Sequence, residues 1–339
     1  MTVPTFNRIF VTGVNGHIGN HIVRDLLEHG YEVKGSVRSL SDPSRTKHVL
    51  QHAVDVGCEE RLELVEGDVL DADPWQDLLA GCDVLLHTAT VYSIDASAET
   101  IIDTAMKGTA HLFNAAKACG IQRVVYTSSV AAVGSMPKGV EKNESFWQEN
   151  HALPYTKAKT ESEKLATELA IKLGLDLRII NPSAVIGGGF SRPTPSVAYF
   201  DDAFHGRFPL APKFPMAFVH VKDVAIAHRR AFEVDQAQGR FILAPHHSLD
   251  MAHLCKRIRV LYPKSKSPKR ALPNFMLPAA VLFDLLNGLR GQNRYLTRQV
   301  VKSLRSGDAY YSSKKAEDVL GMEWIDFDTA VRDTVEGFQ

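Results

Sequence analysis

The chain has no excess charge of either sign, no cysteine framework and no long apolar run. Its 339 residues include 39 Lys plus Arg and 39 Asp plus Glu, so no bulk field argues for nucleic acid or an anionic membrane as a partner. Four cysteines, Cys58, Cys82, Cys119 and Cys255, lack metal-type spacing. They read as reduced thiols of a cytoplasmic protein rather than as a disulfide framework. The N-terminal residues hold no apolar signal core. The most apolar helical stretch, 276–289, is interrupted by Pro278, Asp284 and Asn287, too short and too polar to span a bilayer. Internal repeats and low-complexity segments are also missing. What remains is a chain long enough for one large α/β unit with an appended lobe.

Short apolar runs alternate with helical patterns. Strands are expected at 8–12, 31–37, 62–65, 84–87, 123–127 and 175–180, and helices around 45–56, 74–80, 98–119 and 152–173. After the first strand, Ile18, Ile22, Val23, Leu26 and Leu27 recur at helical spacing. This alternation implies a doubly wound parallel sheet, the Rossmann arrangement. From Pro182 to Pro215 prolines break the pattern, which suggests a loop-rich binding lobe or lid. Beyond it, a strand near 240–243 and helices near 250–261, 276–289, 296–306 and 313–320 follow. The expected division is a dinucleotide-binding domain over 1–182, with 218–238 and part of the C-terminus returning to it. A smaller mixed lobe over 183–217 and 239–310 would bind substrate.

The first strand runs into Thr12-Gly13-Val14-Asn15-Gly16-His17-Ile18-Gly19 and then a helix. Glycines there let the backbone approach a pyrophosphate, and the helix N-terminus favours its charge. The candidate contacts are Gly13, Asn15, Gly16, His17, Ile18 and Gly19. An NAD site places a carboxylate at the end of the second strand. This chain has Arg38 instead, with Arg45 or Lys47 as a second cation, which argues for the 2′-phosphate of NADPH. Asp68-Val69 after the third strand suits an adenine, or Asp68 caps the next helix. Thr88-Ala89 ends the fourth strand at the carboxyl edge of the sheet, where ligands bind.

Tyr155 and Lys159 stand four residues apart and share one helix face. A nearby ammonium lowers the pKa of a phenol, so Tyr155 could pass a proton to a carbonyl oxygen. Ser128 and Ser129 end the fifth strand, and either could hold that carbonyl. His17/His21 and His246/His247 have no third ligand at a recognisable spacing, so no metal is expected. The aromatics Tyr92, Phe190, Tyr199, Phe200 and Phe204 could form an apolar substrate wall or simply pack a core.

Taken together, T-G-x-x-G-x-x-G, the Ser128-Ser129 strand end, Tyr155-x-x-x-Lys159 and Phe218-Val219-His220-Val221-Lys222-Asp223-Val224-Ala225 resemble the extended short-chain dehydrogenase/reductases, of the epimerase/dehydratase superfamily. Ser313-Lys314-Lys315-Ala316 with Leu320-Gly321 resembles their C-terminal segment. Val37-Arg38 and Asn181-Pro182-Ser183-Ala184-Val185-Ile186-Gly187 are most similar to the dihydroflavonol reductase and cinnamoyl-CoA reductase group. The resemblance implies NADPH, reduction of a ketone or aldehyde, and a monomer or homodimer. It also implies Ser129 as the catalytic hydroxyl, Lys159 on the nicotinamide ribose, and Pro182 and Val185 beside the nicotinamide. Where many members carry Asn on the fourth helix this chain has Ala105, so a relay through that amide does not carry over.

Other readings share these residues. A hydroxysteroid-type dehydrogenase would use the same Tyr and Lys. A sugar-nucleotide epimerase or dehydratase usually has an aromatic and Gly-Pro where this chain has Ser183-Ala184-Val185, and a dehydratase needs acid/base groups that Val130-Ala131-Ala132 does not supply. A non-catalytic NADPH sensor generally loses the Tyr–Lys pair, which is retained here.

Overall fold

The computed structural model describes residues 6–89, 98–134, 136–137, 139–149, 153–190, 192–213, 215–289 and 308–338. Thr90, Tyr92, Ala152 and the expected helix at 296–306 lie outside the described residues.

The first half alternates as its apolar runs require. β1 (Arg8–Thr12), α1 (His17–Glu28), β2 (Glu32–Val37), α2 (Lys47–Val56), β3 (Leu62–Glu66), α3 (Trp75–Leu79), β4 (Val84–His87), α4 (Ala98–Ala118), β5 (Arg123–Thr127), α5 (Pro154–Leu173) and β6 (Asp176–Pro182) follow in order. These strands, joined later by β9 (Gly239–Leu243), form a seven-stranded sheet in the order β3-β2-β1-β4-β5-β6-β9. Every pairing in it is parallel. The order reverses between β1 and β4, which opens a crevice at their carboxyl ends.

Helices cover both faces. Ile22, Val23 and Leu26 of α1 pack with Ala227, Ala231 and Phe232 of α7 (Val221–Glu233) on one face. On the other, Trp75, Leu112, Phe113, Ala166 and Ala170 bring together α3, α4 and α5. Phe232 is fully buried; truncating such a side chain to Ala typically costs about 3–5 kcal/mol.

A second sheet of three strands, β10-β8-β7, is mixed. It comprises β7 (Ala184–Ile186), β8 (Pro215–His220) and β10 (His246–Asp250), with β7–β8 parallel and β8–β10 antiparallel. α6 (Pro195–His205), α8 (Met251–Leu261) and α11 (Phe327–Glu336) pack on it through Phe200, Leu254 and Val331. α9 (Leu277–Leu289) follows α8, and α10 (Lys314–Leu320) returns to pack on α7 and β9.

One expectation changes. The 182–217 segment is not simply loop: Thr194 caps α6, Pro195 occupies its first turn and Gly206 ends it at φ +68°. Proline tolerates a first turn, where its missing N–H costs nothing. The 239–243 strand belongs to the large sheet, and 218–220 lies in the small one.

Candidate active site

The glycine-rich turn is shaped by close approaches. Gly13 adopts φ +70°, and its N–H donates to the Ser36 carbonyl at 2.9 Å. A Cβ on Gly19 would fall 2.3 Å from the Gly13 oxygen, and one on Gly13 would fall 3.1 Å from Ala89 Cα. Gly16 caps α1 with no side chain over the helix end, leaving first-turn N–H groups to face the crevice. Thr12 Oγ1 accepts from the N–H groups of Thr88 and Ala89, each at 3.0 Å, which ties the ends of β1 and β4 together. Its own proton is therefore directed to His87 Nδ1, 2.9 Å away.

The other turn residues divide between the crevice and its supports. The Asn15 carbonyl accepts from His48 at 3.2 Å. Ile18 is half-buried. His17 is held from behind by chain far along the sequence: its Nε2 donates to the Gly188 carbonyl at 3.1 Å, and His21 Nε2 donates to the same oxygen at 3.0 Å. Burial pushes His17 down to about 4 and His21 to about 3, so both rings are neutral near pH 7. Among the described residues, no group of three or more His, Cys, Asp or Glu side chains could hold a metal ion.

At the end of β2, Arg38 is exposed. Arg45 is also exposed and pairs with Asp42 at 3.2 Å. Asp68 Oδ1 accepts from the Leu70 N–H at 3.0 Å, closing a local turn rather than capping α3, whose cap position is Pro74. Val69 is buried against α4, where a Cβ on Gly108 would stand 2.9 Å from Val69 Cβ. That contact explains the glycine inside this helix.

The residues expected to react lie on α5 and just beyond the end of β5. Pro154 starts α5, so Tyr155 lies in its first turn, half-buried. Lys159, one turn on, is buried and donates to the Thr127 carbonyl at 3.0 Å. Burial pushes its ammonium down to about 8, opposed by the charge of Glu163. Ser129 is extended, and its Oγ accepts from the Ala131 N–H at 3.1 Å. Ser128 is buried and donates to Glu163. The two serines thus occupy different settings: one hydroxyl is held inside, the other stands at the strand end. Pro182 ends β6 and Val185 lies in β7. Between them the buried Ser183 Oγ has no hydrogen-bond partner among the described residues.

These features suit a dinucleotide: a cradle that one added Cβ would fill, an uncapped helix end, and an orphaned hydroxyl beside Pro182. Sequence reasoning missed Glu163, Asn181, Arg240 and His228. The last accepts from Thr127 Oγ1 at 2.7 Å while its Nδ1 donates to the Val224 carbonyl. Glu163 carried a signal, since it continues the four-residue spacing of Tyr155 and Lys159. Of the two readings of the aromatics, core packing holds for three: Tyr199 stacks on Phe208, Phe200 meets Phe218 and Phe204 meets Tyr262. Phe190 packs on His17 and Phe338.

The sheet order and the glycine-rich turn between β1 and α1 define a doubly wound nucleotide-binding α/β protein. Residues 9–244 match the NAD dependent epimerase/dehydratase family, and the chain belongs to that family of nicotinamide-dependent enzymes. It is 34% identical over 268 residues to cinnamoyl-CoA reductase 1 of Oryza sativa subsp. japonica, covering 76% of each chain. It is 29% identical to a putative dihydroflavonol 4-reductase of Synechocystis sp., covering 97% of this chain and 94% of that one. Among solved structures, Gre2 of Candida albicans in complex with NADPH is similar with a TM-score of 0.75, 25% identity and 98% of both chains covered. No helix among the described residues is long and apolar enough to cross a membrane.

Proposed function

We propose that this chain is an NADPH-dependent reductase of ketones or aldehydes. The observation that carries the reading is the placement of Lys159. Its ammonium is buried on the Thr127 carbonyl, one helical turn from Tyr155 and beside the strand end that bears Ser129. The names of the relatives, reductases of cinnamoyl-CoA and dihydroflavonol type, support a carbonyl substrate. The NADPH complex of the Gre2 relative supports the cofactor.

Gly13, Gly16 and Gly19 with the first turn of α1 would hold the pyrophosphate, Arg38 the 2′-phosphate and Lys159 the nicotinamide ribose. Arg45, already paired with Asp42, is the weaker second cation. Val69 with Asp68 would border the adenine, Thr88 and Ala89 the middle of the cofactor, and Pro182 and Val185 the nicotinamide. When bound, NADPH supplies the hydride. Ser129 donates a hydrogen bond to the carbonyl oxygen and polarises it. Tyr155 gives its phenolic proton to that oxygen, so the carbonyl becomes an alcohol and the tyrosine a phenolate. Lys159, charged below about pH 8, stabilises that phenolate. Solvent then returns the proton.

The test is NADPH oxidation with a panel of aromatic aldehydes, flavonoid ketones, steroids and β-keto esters. At least one class should be reduced with saturation kinetics. A protein that binds NADPH and oxidises it with none of them removes the reading.

A further inference from the structure

A carboxylate outside the reacting pair touches what frames it. Tyr155, Lys159 and Glu163 recur every four residues along α5, so they share a face. Glu163 is fully buried. Its Oε2 accepts from Ser128 Oγ and, at 2.8 Å, from Asn181 Nδ2, while Arg240 Nε stands 2.5 Å from Oε1. Asn181 Nδ2 also donates to the Ser129 carbonyl at 3.2 Å. Arg240 lies over the Trp147 ring, 4.1 Å from its centroid, and donates to the carbonyls of Glu144 and Phe146 at 2.8 and 2.6 Å. One carboxylate thereby gathers α5 and the strands β5, β6 and β9.

Stability alone is a weak reason for this arrangement, because apolar residues of similar volume often replace a buried ion pair at no loss. We propose that Glu163 is a positioning residue: its negative charge keeps Lys159 an ammonium, and its hydrogen bonds to Ser128 and Asn181 hold the Ser129 strand end in place. This rests on the reading of Tyr155, Lys159 and Ser129 as the reacting group.

The surroundings leave that task to Glu163. Lys159 is faced by Tyr155 and Glu163 on its own helix and by His87 from β4, a ring that burial pushes down to about 3 and so keeps neutral. α4, packed along α5, brings no charge to Lys159 among the described residues. Glu163 itself is faced by Lys159, by Arg240 from β9 and by Tyr126 from β5. Burial raises its carboxyl above the ordinary carboxylate range, and Arg240 first, then Ser128 and Asn181, oppose that rise and favour the charged form.

The experiment follows the titration of Lys159 by NMR in protein carrying isotope-labelled lysine, with the resonance assigned by Lys159→Met. Glu163→Gln keeps the size and hydrogen-bonding reach of the side chain and removes its charge. The Lys159 midpoint should fall by about one pH unit, and Glu163→Asp should restore part of the shift. A midpoint unchanged in folded Glu163→Gln protein overturns the proposal. The single variant leaves Arg240 buried and unpaired, which can unfold a protein. The double variant Glu163→Gln, Arg240→Met also removes a cation that opposes Glu163, so a smaller fall is expected, and a midpoint at or above the parent's overturns the proposal. This titration needs no turnover. A shifted midpoint in a protein that reduces no carbonyl sinks the reductase reading and keeps this inference; a fixed midpoint in an active reductase does the reverse.

Discussion

At the inner end of the candidate site, Lys159, Ser128, Asn181 and Glu163 are buried and bonded to one another or to the sheet, whereas at the outer end Arg38 is exposed and Arg45 pairs with a surface aspartate. The inner groups answer to several partners at once in a low-dielectric setting, where each lost contact strands another polar group. The outer groups answer mainly to water. On the proposed reading the framework fixes the chemistry, while cofactor choice would lie on a surface that a few substitutions can rewrite.

The largest break should come at the inner end. Tyr155→Phe removes one hydroxyl from the first turn of α5. Turnover should fall about a thousandfold, with NADPH affinity, read by nicotinamide fluorescence, nearly unchanged. Turnover within a few-fold of the parent would remove the phenol from the chemistry.

Next comes the buried seam beneath the cofactor helix. His17 and His21 are depressed to about 4 and about 3 in the folded protein, below the 6.5 of an unfolded histidine. The unfolded chain binds more protons between those values, so the stabilisation is complete above about pH 6.5 and is lost as pH falls towards 4. Denaturant melts between pH 7 and 4.5 should show a loss of about 2 kcal/mol or more. The variant His21→Asn should flatten that slope, and an unaltered slope would place the acid sensitivity elsewhere.

Gly19→Ala probes the turn between the two ends. The added Cβ meets the Gly13 oxygen, a backbone atom. NADPH affinity should fall about tenfold to a hundredfold; an unchanged Kd would show that the turn relaxes freely.

The smallest effect belongs to the exposed end. Arg38→Asp replaces an exposed cation with a carboxylate that would repel a 2′-phosphate. The NADPH/NADH preference should move towards NADH by about tenfold. If the ratio does not move, another cation holds that phosphate.

Much of the large sheet was legible because its inner strands β1, β4 and β5 are buried on both faces and read as apolar runs. The small lobe was not. Its prolines look like breakers in sequence, yet Pro195 and Pro215 begin a helix and a strand. β7 is three residues long, too short for any period to show. Of the site, the turn and the Tyr155–Lys159 spacing were readable because both are local. The roles of Ser128, Asn181 and Arg240 were hidden because their partners lie far along the chain: 35 residues separate Ser128 from Glu163, and 96 separate Arg240 from Glu144. Val69 and Gly108 likewise explain each other only in space.

The strands from 176 to 250 alternate between sheets. β6 lies in the large one, β7 and β8 in the small one, β9 in the large one and β10 in the small one again. Such weaving denies the molecule any cut point between its halves. A new specificity cannot be installed by exchanging a contiguous cassette; a chimera must transplant separate stitches, each with its own crossing intact.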